Sequence, residues 1–158
     1  MRLATALRAP MAIGLLLTLA GCADPPQALD LRSFERPGAP NSYLFCPAGQ
    51  CAAKADEDGP VVDQPAEKVL VAALKVASLE RNVAPQEADA ALGQLVFIQR
   101  TAVLQFPDVV RIQAIALPGG RTGIALYSQS IFGKYDFGAN KTRARRWMAA
   151  IRRELGVT

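Results

Sequence analysis

The chain has 158 residues, 51% of them apolar and only 6% aromatic, with 18 basic side chains against 14 acidic. This composition excludes a disordered chain and a multi-span membrane protein, and the length suits one domain with a real core rather than two. Histidine is absent, which removes Ser-His-Asp and Cys-His catalysis, His-ligated zinc or haem and metalloprotease helices, so neither a cofactor nor a metal site is expected.

Arg2 and Arg8 lead into the apolar run at residues 9–20, which is short of the roughly 20 residues that a membrane-spanning helix needs. The run closes on Leu19-Ala20-Gly21-Cys22, which resembles a bacterial lipobox. That resemblance implies that residues 1–21 are a lipoprotein signal peptide. It also implies that Cys22 receives diacylglycerol on its thiol, becomes the first residue after cleavage and is acylated at its new amino terminus. Ala23, not aspartate, follows Cys22, which resembles the sorting rule for the outer membrane, facing the periplasm. The expected partners are therefore a membrane, held through Cys22, and a protein or anionic polymer of the envelope. An exported chain is not expected to meet nucleic acid. Without Arg2 and Arg8 the charge is nearly balanced, with 16 basic against 14 acidic residues.

Residues 22–40 read as the acylated cysteine followed by a Pro-rich tether, and residues 41–158 as a single domain. Seven of the eleven prolines fall between Pro25 and Pro65, and an extended tether at about 3 Å per residue reaches roughly 50 Å. Leu29, Leu31 and Phe34 could shorten that reach by docking as an edge strand. Cys46 and Cys51 are expected to form a disulfide, since two near neighbours in an exported chain oxidise together and Gly49 lets the intervening turn close. Asp56-Glu57-Asp58-Gly59-Pro60 reads as a solvated acidic turn.

A first helix follows, capped by Gln64 or Asp63, with Pro65 in its first turn and a stripe through Ala66, Val69, Leu70, Ala73, Leu74 and Ala77. Asn82 and Pro85 end it. Residues 95–104, 109–117 and 122–130 have strand composition. Pro118-Gly119-Gly120-Arg121 joins the last two as an antiparallel hairpin. Ile124, Leu126, Ser128 and Ser130 then share one face. A last helix over residues 141–155 buries Ala144, Trp147, Met148, Ile151 and Leu155, and Gly156 stops it. The fold class is α+β: a small antiparallel sheet of three to five strands against two helices, one before the sheet and one at the C-terminus.

Charge divides unevenly, with 6 basic and 11 acidic residues over 22–90 but 10 and 3 over 91–158. Lys141, Arg143, Arg145, Arg146, Arg152 and Arg153 carry most of the excess, and a helical reading turns them away from the core as a solvated face, with an anion-binding face as the alternative.

The block Ser128-Gln129-Ser130-Ile131-Phe132-Gly133-Lys134-Tyr135-Asp136-Phe137-Gly138-Ala139-Asn140-Lys141-Thr142-Arg143 is similar to the signature of the domain of unknown function 1499 family. The match lies at Ser128, Ser130, Gly133, Asp136, Gly138, Asn140 and Arg143. Phe106-Pro107-Asp108, Pro118-Gly119-Gly120 and a cysteine pair ahead of the first helix also resemble the family. Gln129 stands where an arginine is common, and Val109 where a second acid is common. The resemblance implies a small α+β domain, often exported or membrane-associated, with no assigned activity.

These residues also have physical readings of their own. Gly133 and Gly138 allow a sharp turn from strand into helix. Asn140 is suited to cap the helix, while Asp136 can accept from loop amides or pair with Arg143. The same polar set could instead converge on an anionic ligand beside the helix N-terminus. The expected function is a lipid-anchored envelope protein that binds or scaffolds without catalysis. A carrier or sensor of a small amphipathic or anionic ligand is the alternative, with an apolar cavity bordered by Arg100, Arg143 or Ser130. A histidine-independent hydrolase ranks below both, because no nucleophile and base are singled out, and no catalytic residue is assigned.

Overall fold

The computed structural model describes residues 25–38 and 40–157. Its strands are β1 (Ser42–Cys46), β2 (Glu57–Asp58), β3 (Val61–Val62), β4 (Val83–Asp89), β5 (Gln94–Arg100), β6 (Pro107–Leu117) and β7 (Arg121–Ser130). Its helices are α1 (Ala66–Leu79) and α2 (Ala139–Leu155). The strands form one sheet in the order β2-β1-β7-β6-β5-β4, with β3 also pairing β7. All pairings are antiparallel except β1 with β2.

The α+β architecture and both helices match the sequence expectation, but the sheet has seven strands where three to five were expected. Helix α1 follows β3 and does not precede the sheet. The additional strands come from segments with no clear alternation. The acidic turn at 56–60 folds into β2 and the approach to β3, docking where Gly59 lies against β7. A Cβ at Gly59 would sit 2.2 Å from the Ile124 carbonyl oxygen, so only glycine permits this approach. Strand β4 begins just past Asn82 and contains Pro85, both read as a helix end. Proline is tolerated there because β4 is an edge strand, where a missing amide costs no ladder bond on the open side. Strand β5 ends at Arg100 instead of running to Leu104. Beyond it, residues 101–106 form a loop in which Gln105 has φ +55°.

Residues alternating along the sheet divide cleanly between its faces. Phe45, Phe97, Val110, Ile112, Ile124 and Leu126 face the two helices. There they meet Val69, Ala73 and Ala77 of α1 and Ala144, Trp147, Met148, Ile151 and Leu155 of α2. Trp147 is fully buried and stacks at a tilt on Phe97, with ring centroids 5.6 Å apart. Leu74, expected in the α1 stripe, is exposed, and its place is taken by Ala72 and Val76. Gly156, with φ +70°, closes α2 by donating to the Arg153 carbonyl.

The opposite face is covered by residues 27–36, read from sequence as a tether that Leu29, Leu31 and Phe34 could dock as an edge strand. Leu31 and Phe34 are buried there with Leu44, Cys46, Ile115 and Tyr127. The segment forms no strand; side chains of the sheet hold its backbone instead. Gln94 accepts from the Leu29 amide at 2.8 Å and donates to the Leu29 carbonyl at 2.7 Å. Gln113 accepts from the Leu31 amide at 2.7 Å, and the Arg111 guanidinium donates twice to the Gln27 carbonyl. The segment is thus a strap across the sheet. A disulfide joins Cys46 and Cys51 beside it, and Cys51, Ala53 and Ala55 pack on the same cluster. The leader at 1–21 and Cys22 lie outside the described residues.

Candidate functional site

The end of β7 and the start of α2 bring the signature residues together. Gly138, with φ +81°, is the N-cap of α2 and turns the loop into the helix; a residue with a Cβ resists that conformation. Gly133 also has positive φ, at +84°. Asn140, expected as the cap, lies inside the first turn and is fully buried. The first-turn amides are met by Asp136 instead. Its carboxylate accepts from the Gly138 amide at 3.0 Å and the Asn140 amide at 2.9 Å, a favourable place for negative charge at a helix start. Burial acts to raise the Asp136 carboxyl, but the Asn140 and Gly138 amides outweigh it and hold it below its ordinary value.

Arg143 was expected on the solvated face of the helix or in a pair with Asp136. It is buried with 6% of its surface exposed, and its ion pair is with Asp108 of β6, Nη2 to Oδ2 at 2.5 Å. Its other donors go to Gln99 (2.9 Å), Ser128 (3.1 Å) and Asn140 (2.7 Å). Asn140 in turn donates to the Asn41 carbonyl at 2.8 Å, the Ser130 hydroxyl at 2.9 Å and the Asp136 carboxylate at 2.8 Å. The Ser128 hydroxyl donates to Asn140 at 2.6 Å. Helix geometry explains the inward aim of Arg143: residues 140, 143 and 144 continue the stripe of 147, 148, 151 and 155 by one turn. Of the other basic residues, all but Arg152 lie on the solvated face as expected. Lys141, Arg145, Arg146 and Arg153 are exposed and Arg152 is half-buried.

The structure therefore joins Ser128, Ser130, Asp136, Asn140 and Arg143 in one network, with Gly133 and Gly138 shaping its loop. Asp108, Gln99 and Asn41 complete it and were not assigned to the site from sequence. Gln99 had a signal, since it lies two residues beyond Phe97 on the helix-facing side of β5. Asn41 had none, because it acts largely through its backbone carbonyl.

Beside the network lies an open groove of about 920 Å³ whose lining includes Gln99, Arg143, Arg81, Arg100, Thr142 and Arg146. Arg146 is paired with Glu80 at 2.6 Å. Arg100 donates to the Gln105 carbonyl at 3.1 Å, and Arg81 makes no ion pair among the described residues. No group of three or more Cys, Asp or Glu residues suited to hold a metal occurs among the described residues. None of their helices is long and apolar enough to cross a membrane.

The fold and the network together define a class. The model of the family described as Protein of unknown function (DUF1499) matches residues 22–151. The chain belongs to that family. No curated protein matches it.

Proposed function

We propose that the protein is a lipid-anchored module of the bacterial envelope, held at Cys22 in the outer membrane on the periplasmic side, that binds or scaffolds without catalysis. The observation supporting a non-catalytic role is the closure of the signature network. The Arg143 guanidinium, the Ser128 hydroxyl, the Asn140 amide and the Asp136 carboxylate bond to one another or to backbone. A nucleophile needs a neighbouring base with capacity to take its proton. Ser128 is buried and its hydroxyl faces an amide oxygen and a guanidinium, neither of which can serve as that base. The test is a screen of ester and phosphoester substrates with wild type and Asp136→Asn. No turnover above buffer by either protein agrees with the reading; wild-type turnover overturns it, and its collapse in Asp136→Asn would place the chemistry at the network.

A second reading draws on the groove. Arg81, Arg100 and Arg146 on its rim, with Thr101 and Thr142 beside them, suit a small anionic ligand. A carrier's apolar chamber between sheet and helices has less support, because Trp147, Phe97, Ile112 and Met148 fill that space. Native mass spectrometry and titration with inorganic phosphate test the groove. Saturable binding lost in Arg81→Ala/Arg100→Ala supports it, and equal weak binding by both proteins removes it.

A further inference from the structure

Seven of the twelve exposed large apolar side chains among the described residues lie in just two loops, 101–106 and 131–137. Val103, Phe132, Tyr135 and Phe137 are 88, 61, 65 and 102% exposed. Aromatic and aliphatic tips held this far into solvent forgo the favourable free energy of leaving water, so such a concentration calls for a surface to meet. The loops are neighbours at one end of the sheet. Arg100 at the end of β5 pairs with Pro107, and the Ile131 amide donates to the Pro107 carbonyl at 3.3 Å.

The chain's own path identifies what covers them. Pro25 and Pro26, where the described strap begins, line a groove of about 480 Å³ together with Arg100, Pro107, Ile131 and Phe132. Arg111 and Gln94 fix the strap immediately afterwards, at Gln27 and Leu29. Two residues separate Cys22 from Pro25, and the three Cα-to-Cα steps between them span at most about 11 Å. A lipid on Cys22 would therefore enter its bilayer close beside the two loops. The side chains there suit an interface. The loops combine aromatic rings with Lys134, Arg100 lies at their base, and the acid among them, Asp136, is engaged by the amides of α2. Aromatic rings favour the headgroup level of a bilayer, and basic side chains favour its anionic surface.

We infer that loops 101–106 and 131–137 form a docking surface for an anionic phospholipid bilayer, inserting Phe132 and its neighbours at headgroup depth and fixing the domain's orientation on the membrane. This rests on the reading of Cys22 as the lipidated residue, and it adds a second, non-covalent point of attachment. The domain then lies on the membrane along this edge, with the α2 groove near the lipid surface, and does not swing on a long tether.

The test uses the full chain, produced in bacteria, checked by mass for lipid at Cys22 and reconstituted into phosphatidylethanolamine–phosphatidylglycerol vesicles with or without brominated acyl chains. Phe132→Trp adds one exposed indole to the buried Trp147, and Val71→Trp places one on α1, beside the opposite end of α2. Brominated lipid should remove about half of the Phe132→Trp emission, as expected if one of two indoles sits at the interface, and leave Val71→Trp unchanged. Lipidated, vesicle-bound Phe132→Trp that stays unquenched overturns the docking surface while leaving the anchor standing. A chain with no lipid at Cys22 overturns the anchor, and the docking surface with it.

Discussion

Arg143 carries a full charge into a site that leaves it 6% exposed, and what makes this tolerable is Asp108 at its Nη2 together with three neutral acceptors. Removing one partner of a buried pair strands the other, at about 3–5 kcal/mol, whereas replacing both with apolar groups recovers much of the loss. We expect Arg143→Met and Asp108→Leu each to lower the unfolding free energy measured in urea by that order, and the double variant to lose much less than their sum. Additive losses in the double-mutant cycle would contradict a coupled pair. Two carboxyls make a separate prediction. The Arg32 side chain beside Asp30 holds its carboxyl at about 2, down from 3.8, and Asp136 is lowered in the same direction. Their folded values lie below their unfolded ones, so the stability they contribute is present above about pH 4 and is lost as pH falls through the folded values, about 2 for Asp30. Urea midpoints of Asp30→Asn and Asp136→Asn should accordingly converge on wild type in acid. A gap that widens in acid would reverse the assignment. Ser128 and Ser130 were legible in sequence because strand alternation puts them on the face of Leu126. The burial of Arg143 was not, because its charge partner lies 35 residues away in another strand.

Among the elements, the helices and the β6–β7 hairpin were legible because each has a long apolar period and a turn of the right chemistry. The strap was not. Its grip comes from side chains of Gln94, Gln113 and Arg111 on backbone groups 65 to 84 residues distant, and a peptide amide leaves no sequence signal of what it will meet. Leu31 and Phe34 were the visible part of it, as two apolar residues in a polar, Pro-rich segment. Leu31 is fully buried, so Leu31→Ala should cost about 2–5 kcal/mol as a core truncation does. It should also speed amide exchange at residues 29 and 31 ahead of the helices. A free tether would show no such cost, and unchanged exchange at those amides would mean that the strap is not held as described.

At the scale of the whole molecule, a three-layer body of helices, sheet and strap leaves only a few residues between its first fixed contact and Cys22. That shortens the reach expected from a tether of residues 22–40 and puts one end of the domain near whatever holds Cys22. The family signature was readable in the sequence, while the short distance between the body and Cys22 depends on long-range contacts that only the fold provides. The central claim is that Cys22 carries lipid, and metabolic labelling with a clickable palmitate analogue in a bacterial host, comparing wild type with Cys22→Ser, tests it most directly. The account predicts a labelled wild-type band in the membrane fraction and none for Cys22→Ser. A wild-type protein that remains unlabelled while a control lipoprotein in the same cells takes up the probe would contradict it.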